Sequence, residues 1–206
     1  MDKFFLRLGF AAAIVLCAAA PALAESPDSA HEEEVQAVWK TLRIEFRYDD
    51  GQTIYNCGSL RKKLTTILQV LGADEHIRIQ SEHCDELGRS RFTVVLASPV
   101  EATEENVRAL TSYTTEQLLI ARTRGMRLPG AEDLQRFPAH WRTVSFARDR
   151  DMRLAPGDCE LVRQLKQQIL PHLSVRIVRD NLRCESPTFV NPRLTVAALI
   201  ATQPPE

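Results

Sequence analysis

Residues 57–84 read CGSLRKKLTTILQVLGADEHIRIQSEHC, and residues 159–184 read CELVRQLKQQILPHLSVRIVRDNLRC. Each stretch begins and ends with a cysteine, and most matching residues in and around the two stretches are 102 positions apart. Residues 77–79 match residues 175–177 at a shorter offset of 98, and residues 91–94 match residues 193–196 at 102 again. The pairs that keep this offset are Trp39 and Trp141, Thr41 and Thr143, Cys57 and Cys159, Arg61 and Arg163, Ile67 and Ile169, and Leu68 and Leu170. The sequence therefore predicts an internal duplication with one cysteine pair in each copy.

The first copy, residues 39–100, shows the pattern strand, helix, strand, strand. Apolar and charged residues alternate over residues 42–47, which is typical of a half-buried strand. From Asn56 the apolar residues follow the helical period up to Gly72, a residue suited to a helix C-terminal cap. Residues 76–84, with Ile77 and Ile79 on one face, and the apolar run of residues 91–97 predict two further strands.

The second copy, residues 139–206, repeats this order. We expect a strand at residues 143–148, a helix with Asp158 as its N-cap, a stop or kink at Pro171, and strands at residues 174–179 and 193–201. Residues 101–138 form a helical connector in this interpretation, with one helix over most of Glu104 to Arg124, up to Gly125. The predicted fold is α+β, with two β-α-β-β repeats and a mostly antiparallel sheet.

The repeat order also predicts how the cysteines pair. Four cysteines allow three pairings. If the helix runs antiparallel to the strands on either side of it, its first residue lies beside the last residue of the second strand. This geometry favours Cys57 with Cys84 and Cys159 with Cys184. Each bridge closes a loop of nearly thirty residues and should stabilise the fold by about 3–4 kcal/mol.

Residues 1–24 resemble a secretory signal peptide. Lys3 and Arg7 precede the apolar run of residues 8–20, and Ala22-Leu23-Ala24 fits a cleavage site. The apolar run is shorter than the roughly 20 residues that span a bilayer. No other segment is long and apolar enough to cross a membrane, so we expect no membrane span after cleavage. Residues 25–38 are predicted to be a polar lead-in. We expect a periplasmic location, with an extracellular one as the alternative, because disulfides persist in oxidising compartments.

Composition and motifs exclude several classes of function. The net charge is −1 for the whole chain and about −2 without the signal, which disfavours a nucleic-acid binder. Neither a Gly-x-Ser-x-Gly motif nor a glycine-rich phosphate loop occurs, and His76, His83 and His140 lack the spacing of metal ligands. We therefore predict no catalytic, cofactor-binding or metal-binding residues and no enzymatic activity.

The remaining hypotheses concern binding. The first is an exported protein-binding module, such as an inhibitor or immunity-type protein that neutralises a toxin, a protease or a cell-wall hydrolase. The second is an envelope-assembly or peptidoglycan-binding module, and an enzyme of unfamiliar type is the third. The expected partner is a secreted or periplasmic protein, contacted through the connector by Tyr113 and Arg124. The alternative for the connector is that it only packs the copies together.

Two repeated or clustered features have both a packing and a binding interpretation. Trp39 and Trp141 precede the first strand of each copy, so we expect them to pack in the core, with a partner contact as the alternative. Arg61-Lys62-Lys63 is expected to be a solvated helix face, with an acidic partner as the alternative. The oligomeric state stays open.

Overall fold

A computed structural model describes residues 34–49, 53–85, 89–184 and 191–202 of the chain. The predicted signal peptide and the first nine residues of the predicted lead-in lie outside these ranges. Within them, six strands and four α-helices follow one another along the chain. The strands are β1 (Glu34–Tyr48), β2 (Arg78–Cys84), β3 (Ser90–Glu101), β4 (Arg136–Ser145), β5 (Val175–Asp180) and β6 (Leu194–Ala201), and the helices are α1 (Cys57–Val70), α2 (Glu104–Thr111), α3 (Thr115–Arg124) and α4 (Cys159–Gln168).

The strands form a single sheet in the order β2-β3-β1-β4-β6-β5, and every neighbouring pair is antiparallel. The α+β class and the mostly antiparallel sheet are therefore confirmed. β1 and β4 meet at the centre, but they pair only between Glu34–Val38 and Arg136–His140. Beyond this short contact the two central strands separate, which leaves part of the β1 edge without a neighbouring strand among the described residues.

Side chains of α4 occupy this open edge of β1. Gln168 donates from Nε2 to the Arg47 carbonyl at 2.8 Å and accepts from the Arg47 backbone N–H at 2.8 Å. Gln164 makes the same two bonds with the backbone of Asp49, at 2.9 Å and 3.2 Å. The two amide side chains thus satisfy the backbone groups that a neighbouring strand would otherwise bind.

Both predicted disulfides are present. Cys57 is joined to Cys84 and Cys159 to Cys184, with Cα–Cα distances of 6.2 Å and 5.5 Å. The cysteines meet for the reason predicted from the order of strands and helices. β1 and β2 are both antiparallel to β3, so they run in the same direction, and the start of α1 lies beside the end of β2.

One apolar core extends through both halves of the sheet. It contains the buried face of α1, the buried face of α4 and the strand residues that point towards them. Register places Ile44 beside Val94 and Phe46 beside Phe92, and all four side chains are buried. Fully buried core residues further include Tyr48, Leu60, Leu64, Ile67, Leu68, Phe146, Met152, Leu161, Val162 and Leu165.

The structure differs from the sequence prediction at three boundaries. β1 begins at Glu34, inside the predicted lead-in, because Ala37 and Val38 pair with β3 and are buried. The single connector helix is two helices, since the backbone of Ser112 is extended and Thr114 starts α3 with a capping box to Gln117. β4 likewise begins at Arg136, within the predicted connector.

Candidate binding surfaces and the buried polar network

The connector carries a cluster of exposed apolar side chains, which we name the α3 patch. Its members are 43–57% exposed: Leu118, Leu119, Ile120 and Met126. Ala121 is the one residue of α3 that is buried. Large apolar side chains grouped on a surface mark contact sites with other molecules.

The two connector residues predicted to contact a partner lie at different places. Arg124 is in the last turn of α3 and is exposed, next to the equally exposed Arg122. Neither guanidinium forms an ion pair with another described residue. Tyr113 is half-buried between α2 and α3, and its hydroxyl donates to the Pro129 carbonyl at 2.7 Å. Arg124 thus borders the α3 patch, whereas Tyr113 helps to hold the connector in shape.

Trp39 and Trp141 lie outside the main core, and both are half-buried. Strand alternation places them on the sheet face opposite Ile44. The Trp39 ring stacks on Phe137 at a centroid distance of 4.6 Å, and its Nε1–H is buried without an acceptor among the described residues. These contacts indicate packing on the second sheet face rather than in the main core.

Trp141 has the polar partners that Trp39 lacks. Its Nε1–H donates to Glu101 at 2.8 Å, and the Arg176 guanidinium lies 3.9 Å from the ring centroid. Arg176 also donates to Glu101 at 3.2 Å, so each of these three side chains contacts the other two. The two tryptophans that match in the sequence therefore have different surroundings.

A cavity of about 300 Å³ lies where the end of α1 approaches β6. Its walls are Trp39, Gln69, Ile200, Ala201 and the turn formed by residues 72–76. The turn begins at Gly72, whose φ of +91° and proximity to the Leu199 carbonyl leave no room for a side chain. Within the turn, Asp74 accepts hydrogen bonds from the backbone and the ring of His76.

Asp158 is the centre of a buried polar network between the halves. It is 2% exposed and accepts from Lys63 at 2.6 Å, from the Ala155 backbone at 2.6 Å and from the Tyr55 hydroxyl. Asp158 therefore does not cap α4 through its side chain, contrary to the sequence prediction. Lys63 likewise turns inward from the basic run that we expected to be solvated, because its ammonium group neutralises this carboxylate.

The other ion pairs among the described residues lie on the surface. Lys166 of α4 binds Asp180 at the end of β5, and this hydrogen bond holds the pKa of the Asp180 carboxyl below its ordinary value. The described residues contain no group of three or more His, Cys, Asp or Glu side chains arranged to hold a metal ion. In the same ranges, each helix is too short or too polar to span a bilayer.

Sequence reasoning did not identify the α3 patch. Leu118, Leu119 and Ile120 are consecutive, so a helix directs them around most of its circumference instead of along one stripe. A run of this kind does not form one apolar stripe, so part of it stays exposed when α3 packs on the rest of the fold, and that mismatch was the available signal. Lys63 and Asp158 were missed for another reason, because the partners lie 95 positions apart in the sequence.

Neither a protein-family model nor a curated protein nor a solved structure matches this chain. Its function must therefore be inferred from its own residues and their geometry.

Proposed function

We propose that this chain is an exported protein-binding module of the bacterial periplasm, acting without catalysis as an inhibitor or immunity-type protein. The observation that carries the proposal is the α3 patch, in which four large apolar side chains are exposed on a connector. The two disulfides support export, because such bonds persist in oxidising compartments.

The chemistry around the α3 patch limits the kind of partner. Arg122 and Arg124 border it at the C-terminal end of α3. Because these guanidinium groups lack ion-pair partners among the described residues, a partner surface with acidic side chains would be favoured. The partner surface that fits best is an apolar groove with carboxylates at one end.

We also infer that the two halves arose by internal duplication. The sheet order supports this, since it places the equivalent strands symmetrically about the β1–β4 pair. Ile79 pairs with Val94, and their sequence counterparts Ile177 and Val196 pair with each other. The registers are not identical, however. Ile44 pairs with Val94, whereas Val196 pairs with Val144, two residues before the counterpart of Ile44.

Site-specific photo-crosslinking tests the protein-binding proposal. A photoreactive amino acid at position 119, within the α3 patch, should capture one defined periplasmic protein from the cells that make this chain. The same amino acid at position 54 is the matched control, because Ile54 is also a large exposed apolar residue. Recovery of cell wall instead of a protein would favour the envelope-binding alternative.

Calorimetry with the captured partner then tests the patch itself. We expect Leu119→Asp to weaken binding by roughly tenfold or more, as expected for a contact residue. Ile54→Asp should leave the affinity unchanged. Unchanged affinity of the Leu119 variant would remove α3 from the interface. Reproducible turnover abolished by one conservative polar substitution would overturn the proposal of a non-catalytic protein.

A further inference from the structure

Strand β5 forms one end of the sheet, and almost its whole length is exposed. Its neighbour is β6, so its other backbone edge has no strand beside it among the described residues. Ile177 and Val178 are 50% and 60% exposed. An edge strand with exposed apolar side chains is a template for pairing with another chain.

β2, the strand at the opposite end of the sheet, exposes no large apolar side chain. Ile79 of β2 is the counterpart of Ile177, yet it is only 8% exposed. The rest of β2 is polar or charged apart from its disulfide cysteine. The helices of the two halves also differ in length. α1 has fourteen residues, whereas α4 has ten and is followed by a 3-10 turn that contains Pro171.

A β-bulge brings the apolar side chains of β5 together. Ile177 pairs with Val196 and Arg179 pairs with Thr195, which leaves Val178 as the extra residue. A bulge redirects side chains near the extra residue. Both of these neighbouring apolar residues are exposed, on an edge strand whose residues from Arg176 to Asp180 are all exposed.

The charges along this edge are predominantly basic. Arg176, Arg179 and Arg183 are all exposed. Arg176 is already engaged by Trp141 and Glu101, but Arg179 and Arg183 have no ion-pair partner among the described residues. The single carboxylate of the strand, Asp180, is neutralised by Lys166.

We propose that β5 accepts an extended acidic segment of the partner protein as a seventh strand. Apolar side chains of that segment cover Ile177 and Val178, and its carboxylates face Arg179 and Arg183. Backbone hydrogen bonds supply affinity in this mode of recognition, and the alternating side chains supply specificity. The inference rests on the proposal that the chain is a protein-binding module, and it adds a contact separate from α3.

In the register that would place the apolar residues of two copies opposite each other, charge argues against a second copy of this chain as the occupant. Antiparallel pairing of two β5 strands about the Ile177–Val178 bond places Arg176 of each copy directly opposite Arg179 of the other. Like charges directly opposite each other destabilise strand pairing. An acidic strand instead places opposite charges at the same positions.

Two nine-residue peptides serve as probes, one alternating valine with glutamate and the other alternating valine with lysine. Each is titrated into the oxidised, isotope-labelled chain while the backbone amides are followed by NMR. We expect the glutamate peptide to shift the amides of β5 and to leave those of β2 unchanged. Arg179→Glu should weaken its binding about tenfold or more and should favour the lysine peptide instead. Arg78→Glu on β2 is the matched control and should have no effect.

Three results would overturn the inference: equal binding of the two peptides, unchanged affinity of the Arg179 variant, or shifts on β2 in place of β5. The crosslink from position 119 separates this failure from failure of the proposed function. A retained crosslink with no peptide binding at β5 rejects the seventh strand alone. Loss of the crosslink rejects the α3 interface, whether or not the peptides bind to β5.

Discussion

Replacing Gly72 with alanine tests the close approach of α1 to β6. A Cβ atom at this position would lie 2.3 Å from the Leu199 carbonyl oxygen, and the backbone φ is +91°. The positive φ should cost about 1–2 kcal/mol in an alanine. Displacing the neighbouring backbone should add about 1–3 kcal/mol, as overpacking does elsewhere. We therefore expect a total loss of roughly 2–5 kcal/mol in the free energy of unfolding.

Two other glycines separate these contributions. Gly125 also has a positive φ, +61°, but a Cβ there would meet no atom within 4 Å, so Gly125→Ala should show only the conformational cost. Gly58 is the second residue of α1 and has ordinary space around it, so Gly58→Ala should stabilise the fold by at most about 0.5–1 kcal/mol. The assay is equilibrium urea unfolding of the oxidised proteins. Equal losses for the Gly72 and Gly125 variants would refute the proposed contact with Leu199.

Three further predictions concern polar groups. Asp158→Ala should lower the free energy of unfolding by about 3–5 kcal/mol, because Lys63 is left without its buried partner, and adding Lys63→Met should recover part of the loss in a double-mutant cycle. Trp141→Phe should cost about 1–2 kcal/mol more than Trp39→Phe in urea unfolding, since only Trp141 loses an Nε1–H hydrogen bond; equal costs would contradict this. Asp180 should titrate by NMR below its ordinary pKa of 3.8, and Lys166→Met should remove the shift. Because the folded-state pKa is lowered, this ion pair stabilises the fold above about pH 4 and ceases to do so as the pH falls through the folded-state value.

Regular elements could be predicted from the sequence because their burial is periodic. The alternation around Ile44 and the helical stripe of Leu60, Leu64 and Ile67 each describe one buried face, and both elements are present. The disulfides followed from connectivity alone. In each case the information lies within one segment or in the order of segments.

Features that depend on distant partners could not be predicted in this way. Asp158 has the sequence signature of an N-cap, but Lys63 and Tyr55 bind its carboxylate from another part of the chain. Gln164 and Gln168 look like ordinary exposed helix residues until the separation of β1 from β4 is known. The α3 patch was missed because apolar residues in a helix normally predict burial.

The glutamine contacts between α4 and β1 make the two halves mutually dependent. Removing α4 would leave the backbone of Arg47 and Asp49 unsatisfied on an open strand edge, a situation that promotes self-association. The corresponding positions of α1 are Lys62 and Thr66, which cannot offer the same paired donor and acceptor. α4 therefore stabilises the edge of β1, and α1 offers no equivalent contact in return. A fragment ending before α4 should aggregate instead of folding as an autonomous half. A shortened gene that encoded only the first half should therefore give an insoluble product, so selection would hold the two halves together however much their outer surfaces changed.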